Sequence, residues 1–147
     1  MAGYSGTPLP KKLGLRPGAR LGLVRAPDHF TDTLGDLPDG VSAVRLARGT
    51  SRFDVIVCFA RSSRDLARDL PALPARLEPT GGLWIAWPKK GGLATDLTEA
   101  EVRARGLATG LVDNKVCAID DTWSGLRFVV RVADRPRGSR RPRRSNS

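Results

Sequence analysis

The chain has 147 residues, 40% of them hydrophobic, which suffices for one buried core and excludes two ordinary domains. No apolar run approaches the roughly 20 residues of a membrane-spanning helix, and the opening MAGYSGTPLPKK lacks the apolar stretch of a secretory signal, so no membrane partner is expected and the expected location is the cytoplasm. The formal charge of +10 suggests a nucleic-acid binder, but the excess lies wholly on the flanks: four basic residues and no acid before Leu21, six arginines and no acid after Asp134, and 15 basic against 15 acidic residues between them.

Residues 1–18, rich in Gly, Pro and Lys, read as a flexible leader with a short helical turn at LPKKLGL before the Pro17-Gly18 turn. A single α/β domain is expected over 19–133. Its first strand is Arg20 to Arg25, ended by Ala26-Pro27-Asp28, and a short helix fits between Asp28 and Gly40. Pro38-Asp39-Gly40 turns the chain into a second strand, Val41 to Leu46. Phe53 to Ala60 (FDVIVCFA) is a nearly unbroken apolar run, the mark of a central strand covered on both faces. Ser62 and Asp65 form a capping-box-like helix start, Leu66, Leu70, Leu73 and Leu77 share one helical face, and Pro71 and Pro74 break that helix into short pieces.

Glu78-Pro79-Thr80-Gly81-Gly82 reads as a turn leading into a strand from Leu83 to Trp87. Thr98 and Glu101 open a further helix whose Ala104, Leu107, Ala108 and Leu111 are spaced to face the core, ending near Gly110. Lys115 to Ile119 and Leu126 to Val132 are two strands joined by so short a link that they must run antiparallel. Residues 134–147 carry Arg135, Arg137, Arg140, Arg141, Arg143 and Arg144 and read as a disordered tail. The order implies a three-layer α/β fold: an open, mostly parallel sheet with helices on both faces and a C-terminal antiparallel hairpin. One link is short. Residues 47–52 cannot hold a helical crossover, so either this link runs extended across the sheet or the second strand is antiparallel.

FDVIVCF as a central strand, LEPTGGLWIAWP as a turn entering the next strand, a helix ending at Gly110-Leu111 and the closing hairpin together resemble a truncated class I methyltransferase-like Rossmann domain. From Tyr4 to Arg131, through YSGTPLPKKLGLRPGARL, LWIAWPKK, ATDLTE and TWSGLRFVVR, the chain also resembles a family of small proteins of unknown function common in high-GC Gram-positive bacteria. The resemblance implies a fold and carries no established reaction with it. Binding of S-adenosylmethionine in such a fold uses a glycine-rich turn after the first strand and an acidic residue ending the second. Here Val24-Arg25-Ala26-Pro27-Asp28 has no glycine, the second strand runs out in Leu46-Ala47-Arg48, and the third ends in Phe59-Ala60-Arg61-Ser62 instead of an Asn/Asp-Pro-Pro-Tyr pattern. No cofactor is therefore expected.

Cys58 and Cys117, each in an apolar run, suggest buried reduced thiols, and one histidine, His29, leaves no imidazole cluster for a metal. No nucleophile elbow or Walker loop occurs, so no catalytic residue is assigned. Ligands of open parallel sheets bind beyond the carboxyl ends of the strands, which places Arg25, His29, Arg48, Arg61, Lys89 and Lys90 at the ligand edge, with Asp120 and Asp121 in a facing loop. These cations suit an anion or nucleotide, or are solvated loop charges answered by neighbouring aspartates. Trp84 and Trp87 point to opposite faces of a strand; Trp87 and Trp123 offer either a stacking platform or core packing. The tail is either a nonspecific nucleic-acid contact or a solubilising extension.

The reading is a non-catalytic, methyltransferase-like binding or regulatory domain for anionic ligands or nucleic acid. A divergent methyltransferase or nucleotide-using enzyme and a protein-interaction subunit are the alternatives.

Overall fold

The structure is a computed structural model that describes residues 7–135. Its strands are β1 (Arg20–Val24), β2 (Ser42–Arg45), β3 (Phe53–Phe59), β4 (Leu77–Pro88), β5 (Val112–Ala118) and β6 (Trp123–Val129), in the spatial order β2-β1-β3-β4-β6-β5. The first four are parallel, and β6 runs antiparallel to both β4 and β5. Helices α1 (Leu9–Leu13) and α2 (Phe30–Leu34) belong to one face, α3 (Ser63–Asp69) and α4 (Glu99–Ala108) to the other. The expected three-layer α/β sheet with its antiparallel hairpin is what the chain forms.

Strand alternation divides the core in two. Val55, Val57, Phe59 and Trp84 lie under α1 and α2; Ile56, Cys58, Leu83, Ile85 and Trp87 lie under α3 and α4. The four leucines from Leu66 to Leu77 are all buried, and after α3 the two prolines turn the helix into two single 3₁₀ turns, Leu70–Ala72 and Pro74–Arg76. The leader is bound to the sheet in its second half: Leu13 and Leu15 are buried, and the indole N–H of Trp84 donates to the Leu13 carbonyl at 3.2 Å.

The short link resolves in favour of an extended crossing, because β2 pairs parallel to β1 with Leu23 opposite Arg45. No helix covers this crossing; one arginine holds it. Arg76, the only buried charged residue among those described, donates from Nε to the Ser51 carbonyl (2.6 Å), from one terminal nitrogen to the Ala47 carbonyl (2.9 Å) and from the other to Ser51 Oγ (3.1 Å). Its guanidinium also lies over the Phe53 ring.

Three local expectations are corrected. Residues 78–82 are not a turn but part of β4: four residues bulge opposite Asp54, and the fold-back needs Gly81, whose Cβ would stand 2.5 Å from the Asp54 carbonyl oxygen. The buried face of α4 is Val102 and Gly106, while Ala104, Leu107 and Ala108 face solvent; Gly106 admits the Phe128 ring against the helix backbone, where a Cβ would be 2.1 Å from a ring carbon. Both hairpin strands begin three residues earlier than expected, which makes Trp123 the first residue of β6 instead of a loop residue.

Candidate functional site

The chain order places β2 on one side of β1 and β3 on the other, so the sheet changes direction at β1 and opens a crevice beyond the strand ends. A cavity of about 620 Å³ lies there, with Arg25, Asp28, Phe30, Thr31, Arg45 and Asp69 in its wall. Each comes from a segment that leaves the edge: the turn after β1, the first turn of α2, the end of β2 and the end of α3.

The turn after β1 is held by a side chain where a glycine-rich loop would use bare backbone. Arg25 has φ of 56°, the left-handed region, and among the described residues no other non-glycine residue has positive φ. That conformation costs about 1 kcal/mol for a residue with a Cβ. Its guanidinium forks onto the Asp69 carboxylate, with Nε 2.5 Å from one oxygen and a terminal nitrogen 3.4 Å from the other. The hydrogen bond that it donates to Asp69 holds the Arg25 guanidinium above its ordinary pKa. Arg45 ends β2 where an acidic residue would meet ribose hydroxyls. The turn after β1 thus has no glycine and the end of β2 no carboxylate, the two positions at which this fold meets S-adenosylmethionine, and the residues at those positions do not fit that cofactor.

The other edge residues form a second group beyond β3, β4 and β6. Arg61 stands over the Trp123 ring at 5.7 Å, and Asp120 Oδ1 accepts from the backbone N–H groups of Thr122 (2.8 Å) and Trp123 (2.9 Å). The Lys89 amide donates to the Thr122 carbonyl. Asp120 is therefore a turn-former, and Asp121 and Lys90 are exposed. Trp87 and Trp123 are both interior, on opposite faces of the sheet, so neither presents an open ring face to a base. His29 is exposed at the start of α2 and Arg48 is exposed in the short link, and neither lines the cavity.

Two carboxylates meet the start of α3. Asp96 Oδ1 accepts from the Ser63 amide at 2.8 Å and Glu101 Oε2 from the Ser63 hydroxyl at 2.7 Å, which ties the segment after β4 to the start of α3. The Ser63 hydroxyl, then Arg105, hold the Glu101 carboxyl below its ordinary pKa. Arg45, Asp69, Asp96 and Glu101 were not singled out from sequence as site residues; only Glu101 carried a signal, as a helix-capping residue. Arg135 is described and half-buried, whereas Arg137, Arg140, Arg141, Arg143 and Arg144 lie outside the described residues. Among the described residues no group of His, Cys, Asp and Glu could hold a metal, and no helix is long and apolar enough to cross a membrane.

No protein-family profile and no curated protein matches the chain. Solved structures do. A ribosomal protein L11 methylase from Lactobacillus delbrueckii subsp. bulgaricus superposes with a TM-score of 0.59 at 13% identity, over 84% of this chain and 75% of that one. Magnesium protoporphyrin IX methyltransferase from Synechocystis PCC 6803, with bound SAM, gives 0.53 at 12% identity over 84% and 74%. The DhpI–SAH complex gives 0.53 at 12% identity over 77% and 76%. With the strand order, the single antiparallel strand β6 and the helices on both faces, these likenesses assign the chain the methyltransferase-like Rossmann fold.

Proposed function

We propose that this domain is a non-catalytic, methyltransferase-like binding module that takes an anionic small molecule in the crevice between β1 and β2. The observation that carries the reading is Arg45, exposed and without a carboxylate partner among the described residues, in the wall of a 620 Å³ cavity, a volume suited to a small ligand, with the Arg25–Asp69 pair beside it. Arginine offers an oxyanion a planar fork of donors. The turn after β1 without a glycine and the end of β2 without an acidic residue support absence of catalysis.

A divergent S-adenosylmethionine-dependent methyltransferase is the second reading, favoured by the likeness to methyltransferase structures that include one with bound SAM. Thermal shift separates the two. Nucleotides and other polyanions should raise Tm by mass action, and Arg45→Gln should abolish the rise. Stabilisation by S-adenosylmethionine or S-adenosylhomocysteine that survives Arg45→Gln refutes the anion reading and supports the enzyme.

A further inference from the structure

A second cavity, of about 450 Å³, opens at the opposite end of the sheet, where the parallel strands begin; Arg16, Asp54, Thr80 and Arg127 line it together with glycine backbone. Arg127 sits on β6 beside Trp84, on the α1 face. The sequence makes room for it deliberately: a Cβ at Gly82 would lie 2.4 Å from Arg127 Nε, and one at Gly14 would be 3.9 Å from a terminal nitrogen. The guanidinium is thus laid against bare backbone and partly removed from water.

Three other partly or fully buried arginines are answered. Arg103 has Asp113 and Glu99, Arg105 has Glu101, and Arg76 has two carbonyls and a hydroxyl. Arg127 has one contact, 3.5 Å to Asn114 Oδ1, and no carboxylate within 4 Å among the described residues. Burial alone acts on it, drawing its pKa below the ordinary value. A desolvated cation with an open cavity before it and a second cation, Arg16, on the same wall favours an anion. The one acid of the wall is committed in part: Asp54 Oδ2 accepts from the Arg20 amide at 2.8 Å, which leaves its other oxygen, and the Thr80 hydroxyl, for hydroxyl groups.

We propose that this cavity is a binding site for a hydroxylated phosphate monoester of sugar-phosphate size, its phosphate held between Arg127 and Arg16 and its hydroxyls by Asp54 and Thr80. The site is separate from the crevice between β1 and β2 and shares no residue with it.

The test is titration of the full chain with ribose 5-phosphate, and with ribose as the uncharged control, read from the arginine Nε–H resonances by NMR. Ribose 5-phosphate should move the Arg127 resonance saturably and ribose should not. Arg16→Gln, an exposed position, should weaken binding about tenfold, the usual worth of one charge-assisted contact, while Arg25→Ala with Arg45→Gln should leave it unchanged. Binding that leaves the Arg127 resonance in place, as at the arginines of the tail, overturns the proposal. So does an equal response to ribose, or indifference to Arg16→Gln.

Discussion

Replacing Arg76 tests whether one side chain stands in for a missing crossover helix. Arg76→Met keeps an apolar side chain but deletes the guanidinium over Phe53 and its three hydrogen bonds, to the Ser51 and Ala47 carbonyls and to Ser51 Oγ. Bonds from a charged donor are worth about 1.5–3 kcal/mol where the partner stays buried. Ala47 and Ser51 are exposed, so their freed oxygens can turn to water, and the lower figure of about 1 kcal/mol per bond applies. The loss should be about 3 kcal/mol, or about 9 °C in Tm for a chain of this size. Urea denaturation measures the total. Hydrogen exchange locates it: the Leu46 amide, which donates to the Leu23 carbonyl at 2.9 Å, should exchange faster, because the link it begins is no longer held. Arg76→Lys, which reaches one carbonyl, should recover about a third. A loss under about 1 kcal/mol, within the range of ordinary surface substitutions, or unchanged Leu46 protection, would refute the claim that this arginine holds the crossing.

Gly106→Ala drives a methyl into the Phe128 ring and should cost about 2–3 kcal/mol by urea denaturation, whereas alanine is normally the better helix residue by about 1 kcal/mol. Arg25→Gly and Arg25→Ala both lose the half-exposed pair with Asp69, but only glycine relieves the positive φ, so the glycine variant should be the more stable by about 1 kcal/mol; equal melting temperatures would show that the turn carries no strain. Burial pushes the Cys58 thiol from 9.0 up to about 12. The unfolded chain therefore releases this proton first, and Cys58 should cost the fold about 1.4 kcal/mol per pH unit between those two values, a slope that Cys58→Ala removes. Below pH 9 the thiol is protonated in both states and should contribute no slope.

The parts of the fold legible in sequence were those that local chemistry encodes. FDVIVCF declared a strand covered on both faces, Ser62 and Thr98 declared helix starts, and the side chains of both accept the expected amide N–H groups. What failed was local reading of glycine where the use of glycine is tertiary. Gly81-Gly82 resembled a turn, yet serves a bulge pressed on Asp54 and a berth for Arg127; Gly106 was passed over in favour of Ala104, Leu107 and Ala108, yet forms part of the contact surface of α4. Arg76 gave no signal, because its partners lie 25 and 29 residues away in a segment without periodic pattern. Of the cavity wall, Arg25 was named from sequence, but its partner Asp69 is 44 residues distant, and Arg45 was hidden inside an expected strand.

The hydrogen bond from Trp84 to the Leu13 carbonyl spans 71 residues, and Leu13 is sealed in the same layer as Trp123. Helix α1 leaves the ribosome before β4 and β6, the strands that supply its binding surface. Its closure depends on distant partners, the kind of contact that slows folding. A nascent chain arrested before Trp84 emerges should therefore leave LPKKL open to protease, and synthesis through β6 should protect it. Within this sheet the clock of assembly runs against the order of synthesis: α1 closes only when β4 and β6 arrive.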